Sequence, residues 1–189
     1  MAWQTLKFRL TGDAPLILHN GQTADPLNKY AKMLKSISGK RKKTDSDLEE
    51  LARIEFLAGL YLGEEGPILP AMVVDACIID AAKKGREGVL AKSGFFTVGN
   101  ALLEYSGPRT GPELWADERF RFSVPARVQQ ARIVRTRPIF NEWAASVTAQ
   151  FEDSVVNDAQ VERWFHTAGA LCGLCDWRPR FGRFQAKRL

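Results

Sequence analysis

The sequence is poor in the residues on which reactive or cross-linked proteins depend. Three cysteines and two histidines stand among 189 residues. The odd cysteine count, with no apolar stretch near the amino terminus, argues against a disulfide framework and against secretion, so a reducing cytosol is expected. Long apolar runs are missing as well: none approaches the roughly 20 residues of a membrane span. Low-complexity tracts are absent, and hydrophobic residues make up 45% of the chain, which excludes a disordered protein. There is no Walker loop, dinucleotide fingerprint or zinc-protease motif.

What is present is a basic chain of single-domain length. It is long enough to bury a sizeable core. The formal charge of +5 and pI near 9.2 favour acidic partners such as nucleic acid, although sign alone decides little. Residues 6–11 alternate apolar with polar and predict a first strand. The loop His19-Asn-Gly-Gln-Thr-Ala-Asp-Pro26 leads to a short helix over residues 27–37. A second helix opens at Thr44 or Ser46, where side-chain oxygens can cap free amides and Asp47 and Glu49 complement the dipole. A third, mostly buried, spans residues 70–84, with Pro70 in its first turn and Gly85 past its end.

Beyond it, residues 101–105 suit a strand, and prolines and glycines make residues 107–112 irregular. Residues 131–137 and 142–151 predict two strands joined as a hairpin by Pro138-Ile-Phe-Asn141, with Trp143, Ala145, Val147, Ala149 and Phe151 on one face. The last helix is capped by Asn157 or Asp158 and lines up Val161, Trp164, Phe165, Ala168, Leu171 and Cys172. A closing strand follows over residues 181–189. The order strand, helix, strand, strand, helix, strand predicts an α+β fold with a split βαβ, ferredoxin-like core, the architecture of RNA-recognition modules. The whole chain, 1–189, is read as one domain with a helical insertion at 20–66 and an irregular insertion at 86–126, before the central hairpin.

Chemistry concentrates in Gly173-Leu-Cys-Asp-Trp-Arg-Pro-Arg-Phe-Gly-Arg-Phe184. Glycine lets a backbone approach a polyanion, arginine grips phosphate through a two-pronged fork, and aromatic rings offer faces to bases. Three basic groups follow: Arg132, Arg135 and Arg137 beside predicted strands; Arg178, Arg180, Arg183 and Lys187 near the carboxyl terminus; and Lys40, Arg41, Lys42 and Lys43 in the helical insertion. Arg9 and Lys7 can join them on the first strand. Phe140, Trp177 and Phe181 are candidate stacking residues. The plainer alternative is that these arginines line the solvated side of a half-buried sheet and that Trp177 and Phe181 belong to the core.

The order of elements, the large helical insertion after the first strand, and the loop from Gly169-x-x-x-Gly173 to Arg183 before the closing strand together resemble the RAMP superfamily of CRISPR effector proteins. The nearest likeness is to the Cas-seven-like backbone subunits that polymerise along guide RNA. The segments His19-Asn-Gly-Gln-Thr-Ala-Asp-Pro26, Arg135-Thr-Arg-Pro-Ile-Phe140 and Gly173 to Phe184 also look like an uncharacterised phage and prophage family. The chain departs from the backbone subunits in being shorter and in carrying Cys175 where a small residue such as glycine is expected. The resemblance implies backbone-directed binding of single-stranded RNA or DNA, with copies repeating head to tail as homo-oligomers or filaments. For a phage-encoded chain the compartment is the bacterial host cytoplasm.

Other chemistries are weighed beside that expectation. Some RAMP proteins cleave RNA with a loop histidine or aspartate, which directs attention to His19 and Asp25 as general acid and base of a metal-independent endoribonuclease. No nucleophile or metal cage accompanies them, and His19 beside Asn20-Gly21 can equally shape a turn, so no enzyme is expected. Cys172 and Cys175 have C-x-x-C spacing, yet only Cys77 or His19 could complete a zinc set. A buried helix terminus explains them better, and no metal or cofactor is expected. A further alternative is a phage structural or protein-interaction component that self-assembles without nucleic acid.

Overall fold

The computed structural model describes residues 2–128 and 131–189, with side chains described outside 126–132. In chain order the elements are β1 (Trp3–Gly12), β2 (Leu16–Ile17), α1 (Lys29–Ser38), α2 (Asp45–Gly59), β3 (Leu62–Gly63), β4 (Gly66–Leu69), α3 (Ala71–Lys84) and α4 (Gly88–Gly94). There follow β5 (Phe95–Val98), β6 (Ala101–Glu104), α5 (Gly111–Ala116), β7 (Arg121–Val128), β8 (Ala131–Phe140), β9 (Ala144–Glu152), α6 (Asp158–Thr167) and β10 (Phe184–Arg188). The chain is an α+β protein with antiparallel sheets. Among the described residues, no helix is long and apolar enough to cross a membrane.

The larger sheet runs β10-β1-β9-β6-β4-β3, and β5 also pairs with β9. β1 lies between β10 and β9 because its alternation gives it a fully apolar side: Leu6, Phe8 and Leu10 are buried. β5 and β6 act as one interrupted strand along β9. From Val98 to Leu103 this strand advances five residues while β9 advances three, from Thr148 to Ala145. The excess bulges at Gly99, whose φ of 68° suits glycine. Asn100, beside it, accepts the Ala71 amide through Oδ1 at 3.1 Å, capping the start of α3. Two carboxamide and carboxylate contacts thus fix helix to strand, since Asp75 also accepts the Thr97 amide at 2.7 Å.

Helices α3 and α6 cover the apolar side of this sheet. Phe8 stacks on Phe165 with ring centroids 4.0 Å apart, and Phe95 meets the Trp164 and Phe165 rings edge-on. Each such ring contributes about 1.5–3 kcal/mol by burial. Helix starts follow the expected caps: Thr44 and Asp47 form a capping box on α2, and Asn157 and Gln160 form one on α6. α6 ends differently from its pattern. Residues Ala168–Cys172 form a π turn in which the Gly173 amide bonds the Ala168 carbonyl. The wider turn leaves Leu171 exposed while Cys172 remains buried, so Leu171 leaves the apolar stripe predicted for it.

The expected hairpin between residues 131–137 and 142–151 does not form. β8 pairs with β7 along its length and with β2 at Leu16↔Phe140, making a second sheet, β2-β8-β7. The segment Pro138-Ile-Phe140, read as a turn, continues the strand, and the Pro138 carbonyl accepts the Leu18 amide at 3.0 Å. The chain changes sheet around Trp143, whose indole donates to the Ala14 carbonyl at 2.9 Å. The partner of β9 opposite β1 comes instead from residues 86–126, expected to be irregular apart from a strand at 101–105; the stretch holds α4, β5, α5 and β6, the last on the expected strand. Alternation identifies a strand and its buried side, but both β8 and the β5–β6 ribbon could satisfy β9 by pattern alone.

A candidate nucleic-acid interface

The loop of residues 173–183 is built by close contacts of the chain with itself. Gly173 and Gly182 have φ of 74° and 71°. A Cβ on Gly182 would overlap the Leu174 carbonyl, and one on Gly169 would overlap that of Phe184. The Leu174 amide bonds the Gly182 carbonyl at 2.9 Å, the Gly182 amide bonds Pro15 at 2.8 Å, and the Asp176 amide bonds Ile17 at 3.0 Å. The glycines therefore serve the docking of this loop on the segment around β2. Approach to a polyanion, the role expected of them, is not what their geometry requires.

Aromatic candidates separate by burial. Trp177 is 42% exposed and forms an edge-on cluster with Phe122 and the half-buried Phe181. Phe140, expected as a stacking residue, has no exposed surface and packs against Tyr105 and Phe120. It sits on the side of β8 turned to the core, and no base can reach it.

Cationic candidates separate by partner. Arg9 pairs with Glu104, Arg135 with Glu55, Arg137 with Asp176 at 3.7 Å, Arg178 with Asp80 at 3.6 Å and Lys40 with Asp47 at 2.6 Å. Arg41, Lys42, Lys43, Arg180, Arg183 and Lys187 are exposed and, among the described residues, form no ion pair. Arg132 lies outside the residues whose side chains are described. Sequence reasoning missed Lys83 and Lys84, whose position at the end of α3 reads only as dipole compensation. They join Trp177, Arg178 and Leu171 around a groove of about 760 Å³ between α3 and the terminal loop. Within it Asp80 lies between Lys83, at 2.7 Å, and Arg178; the hydrogen bond from Lys83, aided by the Arg178 charge, holds its carboxyl below the usual range.

His19 and Asp25 do not form a catalytic pair. His19 Nδ1 faces Asp176 Oδ2 at 3.4 Å, and the Tyr61 hydroxyl donates to its carbonyl. Asp25 accepts the Leu27 amide at 2.8 Å and shapes the turn into α1. Burial raises the Asp176 carboxyl, but hydrogen bonds from His19 and the Trp177 amide and the charges of His19 and Arg137 outweigh it, leaving it lowered. His19 and Arg137 line a cleft of about 260 Å³ together with Arg135 and Glu55.

The thiols are held protonated. Cys77 donates to the Gly173 carbonyl at 3.1 Å, and burial pushes both Cys77 and Cys175 up to about 12 and raises Cys172. Zinc takes thiolates, which this setting disfavours, and among the described residues no group of three or more histidines, cysteines or carboxylates converges. The C-x-x-C spacing falls across a helix end and a left-handed Cys175, with φ of 63°. No protein-family model and no curated protein matches this chain.

Proposed function

We propose that the protein binds single-stranded nucleic acid through the phosphate backbone, with little sequence preference. The observation that carries this reading is the set of exposed cations on the terminal loop and strand, Arg180, Arg183 and Lys187, which among the described residues meet no carboxylate, beside the exposed Trp177. Free arginines and lysines release counterions from phosphates, and an adjacent ring offers a sequence-tolerant stacking surface. The antiparallel order β10-β1-β9 followed by the β5–β6 strand, with two helices on one side and β4 and β3 added beyond β6, supports a split βαβ, ferredoxin-like core. That core is in keeping with a RAMP-like chain whose copies follow a strand head to tail in the cytoplasm. Fluorescence anisotropy against labelled single-stranded RNA, single-stranded DNA and duplex tests it. Salt-sensitive, length-dependent binding to a single strand is expected; no binding at low salt would refute it.

A second reading has its own support. Five of the expected cations already meet carboxylates of the same chain, which withdraws them from phosphate binding. A self-assembling component forms oligomers without nucleic acid and keeps them at high salt.

A further inference from the structure

Among the described residues, no helix covers one side of the larger sheet at β10, β1 and β9. On β1 the buried residues Leu6, Phe8 and Leu10 face α3 and α6, so Trp3, Thr5, Lys7, Arg9 and Thr11 point the other way. The pairing Arg9↔Lys187 and Thr11↔Gln185 puts Lys187 and Gln185 of β10 on this same side. Across β9, the registers Phe96↔Gln150 and Trp3↔Glu152 bring Phe96 there as well. Trp3 is 52% and Phe96 39% exposed, and their rings meet edge to face with centroids 5.1 Å apart. An aromatic pair therefore bridges β9 in the open. Val98 and Leu102 continue an exposed apolar strip along the same edge.

Two large rings on an unpartnered sheet face are costly to leave in water, which marks the face as an interaction surface. Its charges select the occupant. Lys7 and Lys187 are exposed and, among the described residues, unpaired, and Arg183 follows on immediately before β10. Of the carboxylates on this side, Glu104 meets Arg9, the buried Glu152 accepts from the Ser154 hydroxyl through one oxygen, and the exposed Asp13 accepts from Gln185 at 2.9 Å, so lysines and arginines outnumber the unpaired acids. From Trp3 to Thr11 the face is about 26 Å long at roughly 3.3 Å per residue, room for several nucleotides of an extended strand. Rings at one end and free cations toward the other match bases and phosphates of one strand.

We propose that this open face is the base-stacking platform of the protein, with Trp3 and Phe96 holding bases and Lys7, Lys187 and Arg183 the phosphates that follow them. The proposal rests on the single-strand reading above and adds residues that charge patterning did not single out. It predicts a distinction between strands with and without bases.

The test measures binding of the whole protein to labelled oligouridine and oligothymidine and to abasic strands of the same length. The wild type is expected to prefer a base-bearing strand by roughly tenfold or more. Trp3→Ala and Phe96→Ala should each remove most of that preference while Trp3→Phe keeps it, and circular dichroism should show all three folded. Equal wild-type affinity for both kinds of strand would overturn the platform and leave backbone binding standing. A preference that survives both alanine variants would also overturn it. Binding of neither strand at low salt would overturn the platform and the parent reading together. A nucleic-acid-free dimer that Trp3→Ala splits into monomers would assign the face to a second copy and likewise overturn it.

Discussion

β8 and the carboxyl-terminal loop look alike in sequence, each a short run of arginines among apolar residues; Arg178 of the loop meets Asp80 as the β8 arginines meet their carboxylates, yet Arg180 and Arg183 are used in the opposite way. On β8, Arg135 meets Glu55 of α2, whose second oxygen accepts the Thr136 amide at 3.2 Å, and Arg137 meets Asp176. These arginines hold α2 and the terminal loop against the second sheet. Arg180 and Arg183 extend from a loop fixed by backbone hydrogen bonds and keep their charge available. Equal charge in the sequence thus becomes structural in one place and accessible in the other. Availability depends on carboxylates distant in sequence: Glu55 is 80 residues from Arg135.

The comparison can be broken most severely at the scaffold. Gly182→Ala forces a side chain onto the Leu174 carbonyl at a positive φ, and we expect a loss of about 3 kcal/mol or more in thermal or denaturant unfolding. Gly21→Ala, where a Cβ meets nothing within 4 Å, serves as the control and should shift stability by less than about 1 kcal/mol. A mild effect at Gly182 would mean that the loop is not the rigid support described. Next in size, Arg135→Ala strands the largely buried Glu55 carboxylate and should cost about 1–2 kcal/mol. Arg183→Ala should stay within about 0.5 kcal/mol. Equal costs for the two would erase the distinction between paired and free arginines.

Acid sharpens it further. Glu87 accepts hydrogen bonds from Gln160, Trp164 and Arg163, in that order of influence, and its pKa falls to about 2. A carboxyl lowered on folding contributes stability that is full above its ordinary value and is lost as pH falls through the folded one. Unfolding measured from pH 5 down to about 2 should therefore show an acid loss that Glu87→Gln flattens and Arg183→Ala leaves alone. An unchanged acid profile in Glu87→Gln would discard this assignment. The smallest effect is expected from metal removal: EDTA should leave the melting temperature where it was, because the thiols pack as neutral groups. A clear drop would reinstate the cysteines as ligands.

Much of the fold was legible where local chemistry decides it. The caps at Thr44 and Asn157, each one of two expected candidates, the stop at Gly85 and the buried side of β9 all follow from neighbours within a few residues. Strand partnership was not legible, because Phe95–Val98 and Ala101–Glu104 are four residues each and the bulge between them hides their continuity. Of the site, the terminal cations could be read from composition, whereas the burial of Phe140 and the neutralisation of Arg135 depend on contacts between sheets. Trp3 and Phe96 lie 93 positions apart in the sequence, and only the shared neighbour β9 joins them.

The most direct measurement is the salt dependence of single-strand binding in two double variants, Arg183→Ala with Lys187→Ala and Arg135→Ala with Arg137→Ala. The terminal pair should reduce the slope of log affinity against log salt by roughly 1.5–2, while the β8 pair leaves that slope near the wild type. Equal reductions in both, or wild-type binding that does not respond to salt, would contradict the claim that the free cations of the terminal strand carry the contact with phosphate.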